Sequence, residues 1–237
     1  MLNISFLTLG HNLKIEKYNS PNFGNRPPQS SIDMVVMHYT GMKNCKAALN
    51  RLCNPEANVS AHYVIAENGE IFSLVAEEYR AWHAGESFWK GATDINDRSI
   101  GIETVNTGHE LGYKVFPEAQ MAAVEYMLRE IINRYQIPLN RVVGHSDIAP
   151  TRKRDPGELF DWQRLAKQGL SVWPKNSSKP ASPLQLRELL SAIGYDPKAP
   201  LRDVIIAFQR RFVPLSVNGK ADEITCRMIA GLAAIST

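Results

Sequence analysis

The run Met34-Val35-Val36-Met37 ends in His38, and this short stretch limits the possible folds more than any other in the chain. It is too short to form a helix with its own core face and shows no polar alternation. It therefore reads as a strand buried in a sheet, delivering His38 to the sheet rim. A buried strand needs cover, and the neighbouring sequence supplies it. Ala47, Ala48, Leu49 and Leu52 mark a short helix. Pro117 suits the first position of a longer one, whose Met121, Val124, Leu128, Ile131, Ile132 and Tyr135 recur at helical spacing. The segments 61–66 and 71–75 flank Glu67-Asn68-Gly69-Glu70, a hairpin signal because Asn-Gly accepts positive φ. Further strands are expected over 100–106 and 141–144, the second delivering His145. The expected class is α/β, a mixed central sheet with flanking helices, followed by a small three-helix domain.

The division between the two parts is visible in the sequence. Residues 173–183 concentrate proline, serine and charge without an apolar period, so a front domain over 1–172 and a helical unit over 184–237 are expected on either side of a linker. In the tail, Leu186, Leu189, Leu190 and Ile193 form one amphipathic face ending at Gly194. Val204, Ile205, Phe208 and Phe212 form a second, and Met228, Ile229, Leu232 and Ile235 a third after Asp222. A unit of this size buries only ~60% of its unfolded surface, so it is expected to lean on the front domain.

Composition excludes several classes of function. The formal charge of +3 is too small to argue for nucleic acid, and there is no dense Lys/Arg run with interleaved aromatics. A weakly anionic polymer suits it better. The longest apolar stretches fall far short of the ~20 residues that span a bilayer, so no membrane span is expected. Residues 1–10 have no Lys or Arg before Lys14 and are broken by Asn3, Ser5 and Thr8. They do not read as a secretory signal, and the first cysteine, Cys45, is too late for lipoprotein-type attachment. Cys45, Cys53 and Cys226 are an odd number, which fits reduced thiols. If Cys45 and Cys53 share a helix, eight residues at ~1.5 Å each set them about 12 Å apart, beyond the ~7 Å limit for a bridge. A cytoplasmic monomer is the expectation. A periplasmic or envelope location is the alternative.

The residues that bear chemistry are dispersed. His145 and Asp155 lie ten positions apart in a loop-like stretch, and with His38 they make two imidazoles and one carboxylate, a set that zinc accepts in a catalytic site with a fourth position open. Glu103 interrupts the apolar strand Ile100-Gly101-Ile102-Glu103-Thr104-Val105. A carboxylate there is costly unless paired or functional, which makes it a candidate general base, against the simpler reading of a solvated edge. Lys153, within Arg152-Lys153-Arg154, reads by itself as a solvated charge. His83 sits in Arg80-Ala81-Trp82-His83-Ala84-Gly85, a loop suited to lining a cleft, and its role is open between substrate contact and structure. His62 alternates within a strand, and His11 and His109 fall in polar loops where surface roles are expected.

Six motifs in order carry a resemblance: Val36-Met37-His38-Tyr39-Thr40; Ser60-Ala61-His62-Tyr63-Val64-Ile65 with Asn68-Gly69; Ala81-Trp82-His83-Ala84-Gly85; Ser99-Ile100-Gly101-Ile102-Glu103; Gly144-His145-Ser146-Asp147-Ile148-Ala149-Pro150; and Lys153-Arg154-Asp155-Pro156-Gly157. Over roughly residues 30 to 165 the chain resembles the zinc-dependent N-acetylmuramoyl-L-alanine amidases of the type 2 class, relatives of phage lysozyme-like amidases and peptidoglycan recognition proteins. The resemblance implies one zinc on His38, His145 and Asp155, with Glu103 and Lys153 at the family's catalytic positions, and so overturns the solvated reading of Lys153. It implies hydrolysis of the amide between N-acetylmuramic acid and L-alanine in peptidoglycan or muropeptides. Trp82, His83 and Asn106 are expected to line the substrate cleft. The tail resembles the helical peptidoglycan-binding module of wall hydrolases at Gly194-Tyr195, Phe208-Gln209, Asn218-Gly219, Ala221-Asp222 and Thr225, but lacks that module's Asp-Gly turn before Phe208. A non-catalytic muropeptide-binding protein is the competing class. A zinc peptidase of another family is disfavoured because no His-Glu-x-x-His occurs.

Overall fold

A computed structural model describes residues 14–175 and 179–236. The amino-terminal stretch read for a signal, His11, and part of the expected linker lie outside the described residues. The elements in order are β1 (Ile15–Lys17), β2 (Phe23–Asn25), β3 (Met34–Tyr39), α1 (Cys45–Leu52), β4 (Tyr63–Ile65), β5 (Ile71–Ser73), β6 (Tyr79–Ala81), β7 (Ser99–Thr104), α2 (Glu118–Tyr135), β8 (Val142–Gly144), α3 (His145–Ile148), α4 (Trp162–Lys167), α5 (Leu186–Ile193), α6 (Leu201–Phe212) and α7 (Glu223–Ala233). Six strands form a mixed sheet in the order β1-β5-β4-β7-β3-β8, and β2 pairs with β6 in a small separate ladder. The hairpin β4–β5 is antiparallel, as Asn68-Gly69 requires, whereas β3, β7 and β8 run parallel.

The apolar run at β3 is central, and each face of it has its own cover. Val35 and Met37 point with Ile100, Ile102 and Val142 into a core closed by Met121, Val124, Met127, Leu128 and Ile131 of α2. That helix starts just after Pro117 and stops where Gln136 turns left-handed, with the Gln136 N–H closing on the Ile132 carbonyl. Met34, Val36 and Val143 point the other way, into a core completed by Leu190, Ile193, Tyr195, Val204, Phe208, Phe212, Ile229 and Leu232 of the tail. The tail helices therefore form the third layer over the sheet face that also bears His38. Complete burial of Phe208 alone contributes roughly 1.5–3 kcal/mol by apolar transfer. The approach of the two parts is close. A Cβ at Gly194, where φ is +143°, would stand 2.6 Å from the Trp89 ring. A smaller core under α1 gathers Ala48, Leu49, Leu52, Val64, Leu74 and Val105.

Several local expectations are corrected. Ile235, expected on the third tail face, is 53% exposed, because α7 ends at Ala233. Arg141 belongs to a 3-10 turn before β8, and Asn106 lies beyond the end of β7. The strands β1, β2 and β6 and the short α4 go unannounced in the sequence, because segments of three to six residues carry too little periodicity to register. Among the described residues no helix is long and apolar enough to cross a membrane. All three cysteines are free.

Candidate metal centre

The parallel register places the chemistry. His38 pairs with Glu103 across β3 and β7, and Met37 pairs with Gly144, so His145, the next residue, emerges beside His38. All three sit at the carboxyl ends of neighbouring parallel strands, where α/β sheets bind ligands. The loop after α3 folds back, with the Ser146 N–H donating to the Asp155 carbonyl at 2.8 Å, and so brings Asp155 to the same spot. His38 Nδ1, His145 Nδ1 and Asp155 Oδ2 converge at mutual distances of 2.9, 3.0 and 3.0 Å.

The hydrogen bonds behind these atoms fix what they offer. His145 Nε2 lies 2.9 Å from the Ala84 carbonyl, which only accepts, so Nε2 carries a proton and, in the neutral ring, Nδ1 is the nitrogen that offers a lone pair. His38 is fixed by a longer chain. The Ser99 hydroxyl donates to the Ile95 carbonyl, so its oxygen accepts from His83 Nε2–H at 3.3 Å. His83 Nδ1 is then an acceptor and takes the His38 Nε2–H at 3.1 Å, leaving His38 Nδ1 bare as well. Burial, then the nearby His145, lowers the His38 pKa to about 4 and keeps the ring neutral. Burial pushes the Asp155 pKa upward, but His145 and His38 outweigh it and hold the carboxyl well below its usual range. Two imidazole nitrogens and a carboxylate oxygen thus converge within 3.0 Å of one another, a donor set that a cation fits when the facing nitrogens carry no proton. Tetrahedral zinc with bonds of ~2.0–2.1 Å sets its ligands about 3.3 Å apart, so the triad fits the ion with only a slight spreading.

Around the triad lies a cleft of about 330 Å³ whose lining includes Tyr39, Met42, Leu52, Val59, Trp82, His83, Glu103, Arg152 and Lys153. Glu103 Oε2 is enclosed there without a hydrogen-bond partner. Burial, then Asp155, raises the Glu103 pKa to about 8, against the pull of Lys153.

Of the residues expected in the cleft, Trp82 and His83 line it and Asn106 does not. Asn106 is 1% exposed. Its amide donates to the Lys114 carbonyl and accepts the Gly108 N–H, which organises the loop after β7. His83 is both a lining residue and the group that holds His38. His62, fully buried, accepts the Gly101 N–H at 3.0 Å and braces the strand beneath His83. His109, expected on the surface, is half-buried. It stacks on Tyr113 and bridges the cleft-lining Tyr39, at 2.8 Å, to Glu158, at 3.1 Å. No spacing in the sequence signals these histidine bonds, which join residues 39 to 70 positions apart.

Gly101 offers a test of the brace. A Cβ there would stand 2.4 Å from His83 Cγ, so Gly101→Ala should push the His83 ring away from His38. The expected result is a loss of about 1–3 kcal/mol of stability and a ~10-fold or greater loss of zinc affinity. Unchanged zinc affinity by chelator competition would remove His83 from the site's support.

A profile of N-acetylmuramoyl-L-alanine amidases matches residues 28–158. The chain is 40% identical over 222 residues to the N-acetylmuramoyl-L-alanine amidase AmiD of Escherichia coli (strain K12), covering 82% of this chain and 79% of that protein. It is 36% identical over 163 residues to the 1,6-anhydro-N-acetylmuramyl-L-alanine amidase AmpD of the same organism, covering 62% of this chain and 87% of the relative. A structure of E. coli AmiD with anhydro-N-acetylmuramic acid-L-Ala-D-gamma-Glu-L-Lys superposes with a TM-score of 0.78 at 37% identity, over 89% of this chain and 93% of that one. AmpDh3 of Pseudomonas aeruginosa superposes with a TM-score of 0.80 at 29% identity over 99% of both chains.

Proposed function

Because the chain belongs to the N-acetylmuramoyl-L-alanine amidase family, we propose that it hydrolyses the amide between the lactyl group of N-acetylmuramic acid and L-alanine, using one zinc held by His38, His145 and Asp155. The observation that carries this reading is the convergence of the bare ligand triad with Glu103 and Lys153 on one cleft. It also weighs against a non-catalytic binding protein, which needs neither a complete ligand set nor an enclosed, unpartnered carboxylate oxygen.

Bound there, zinc supplies a water of lowered pKa and polarises the scissile carbonyl. Glu103, with Oε2 unpartnered and facing a restricted space, takes the proton from the attacking water and returns it to the leaving amine of L-alanine. The Lys153 ammonium stabilises the charge that develops on the carbonyl oxygen. Trp82, Met42, Leu52 and Val59 give the cleft an apolar wall, and Arg51, Arg152 and Arg154 border it with positive charge that suits the carboxylates of a stem peptide. His83 acts from behind, holding His38.

Solved relatives contain anhydromuramic peptides, and such soluble muropeptides are the proposed substrates here, with polymeric peptidoglycan as a second. Incubating zinc-loaded protein with an anhydromuramyl tripeptide should release the free anhydro-sugar acid and a peptide with an L-alanine amino terminus, both identified by mass. Cleavage within the peptide, or binding without turnover, would overturn the reading. We place the enzyme in the cytoplasm, a reading that its three free thiols favour, and take it to act as a monomer. We divide it functionally into an amidase domain over 1–172 and a peptidoglycan-binding-like unit over 184–237.

A further inference from the structure

We propose that the tail also supports the metal site, with Arg211 and Tyr195 as positioning residues for the ligand His145, so that metal affinity depends on the tail. The proposal rests on His145 being a ligand, as above. The helix α3 that carries His145 is a single turn, too short to hold itself, so its position is set by what grips it. The grip is Asp147, two residues on. Its carboxylate accepts the Gly144 N–H at 2.8 Å, Arg211 Nη1 at 2.9 Å and the Tyr195 hydroxyl at 2.7 Å. Two of these three donors belong to the tail.

Arg211 holds the other side of the same turn. Its Nη2 donates to the Val142 carbonyl at 2.9 Å and to the Ser171 hydroxyl at 3.0 Å, and its guanidinium lies 4.1 Å from the centre of the Trp162 ring. One planar side chain therefore spans β8 before His145 and α3 after it, a fork geometry that lysine does not reproduce. Asp147, Arg211 and Tyr195 are 1%, 3% and 1% exposed, so water cannot substitute for any of them. The turn is also packed against the second ligand segment. A Cβ at Gly144 would stand 2.8 Å from Pro156 Cδ, in the residue that follows Asp155. On the cleft side, the neighbouring Arg210 reaches the Lys153 carbonyl at 3.5 Å. The tail thus braces the strand-to-helix turn that carries His145 and against which the Asp155 segment packs.

The test uses the full chain with Arg211→Lys and Tyr195→Phe. Tyr195→Phe leaves no buried charge unpaired and decides the matter should Arg211→Lys fail to fold. Zinc affinity is measured by competition with a chromogenic chelator, and kcat and KM on a soluble anhydromuramyl tripeptide. Partners that act directly on ligands change affinity 10–100-fold, and one step further out about 3–10-fold weaker zinc binding is expected, with kcat reduced and KM unchanged. Folded variants with a lowered Tm but wild-type zinc affinity and kcat would show a merely structural contact and overturn the proposal. A wild-type chain that binds no zinc would overturn the metal assignment together with it.

Discussion

His145→Ala should reduce zinc content to background and turnover by ~10⁴ or more, because the metal's electrostatic contribution is several kcal/mol and each 1.36 kcal/mol is tenfold in rate. The size of the effect follows from how little else binds the ion. His38 and Asp155 would remain, but the Ala84 carbonyl would lose the imidazole that now donates to it, and the fixed lone pair facing His38 Nδ1 would be gone. Elemental analysis and single-turnover kinetics measure the two quantities separately. Chelation of the wild-type protein should reproduce the kinetic loss, and added zinc should restore it in the wild type alone. Full metal content in purified His145→Ala protein would refute the ligand assignment.

Glu103→Ala should leave zinc bound and lower kcat by about 10²–10⁴, the range for a lost general base. The direction of the pH dependence is set by burial, which together with Asp155 raises the Glu103 pKa from its ordinary 4.5 to about 8 in the metal-free protein. Two consequences follow. A base must be deprotonated, so turnover should rise with pH through the Glu103 pKa, and Glu103→Gln should abolish that limb. Zinc in the neighbouring triad pulls the pKa down, so the limb in the loaded enzyme should lie below 8. For stability the sign is opposite. A carboxyl whose folded pKa is raised contributes stability that is present below about 4.5 and lost as the pH climbs to about 8. Metal-free wild type should therefore lose Tm over that window relative to Glu103→Gln. A Glu103→Ala enzyme with near-normal kcat would remove the residue from the mechanism.

The candidate ligands are legible in the sequence because chemistry and position coincide: a histidine ending an apolar run, another directly after a second strand, and an aspartate in the loop that follows. Glu103 is legible as a carboxylate in an apolar strand. Their proximity is not, because it comes from the parallel register of β3 with β7 and β8, which depends on long-range packing and leaves no local trace. The role of His83 stays open in the sequence for the same reason, since its partner His38 is 45 positions away. Asn106 is expected in the cleft, but β7 ends at Thr104 and the Asn106 side chain is spent on the Lys114 carbonyl and the Gly108 N–H of the following loop. Nothing in the sequence announces Arg211, since a buried arginine in an amphipathic helix looks like any solvated one until Asp147 stands opposite.

Covering Met34, Val36 and Val143 with α5, α6 and α7, which follow the whole sheet in sequence, also sets an order of events during synthesis. Once the strands, the last of which ends at Gly144, have emerged from the ribosome, the sheet can form but one of its faces is still bare. The stretch from 176 to 233, which carries the covering helices, takes about 3–12 s at ~5–20 residues per second. For that interval the nascent protein presents a greasy plane to the cell, and the turn carrying His145 lacks the tail groups that grip it. On the proposal above, that turn gains its full grip only once Tyr195 and Arg211 have been made and have docked on Asp147.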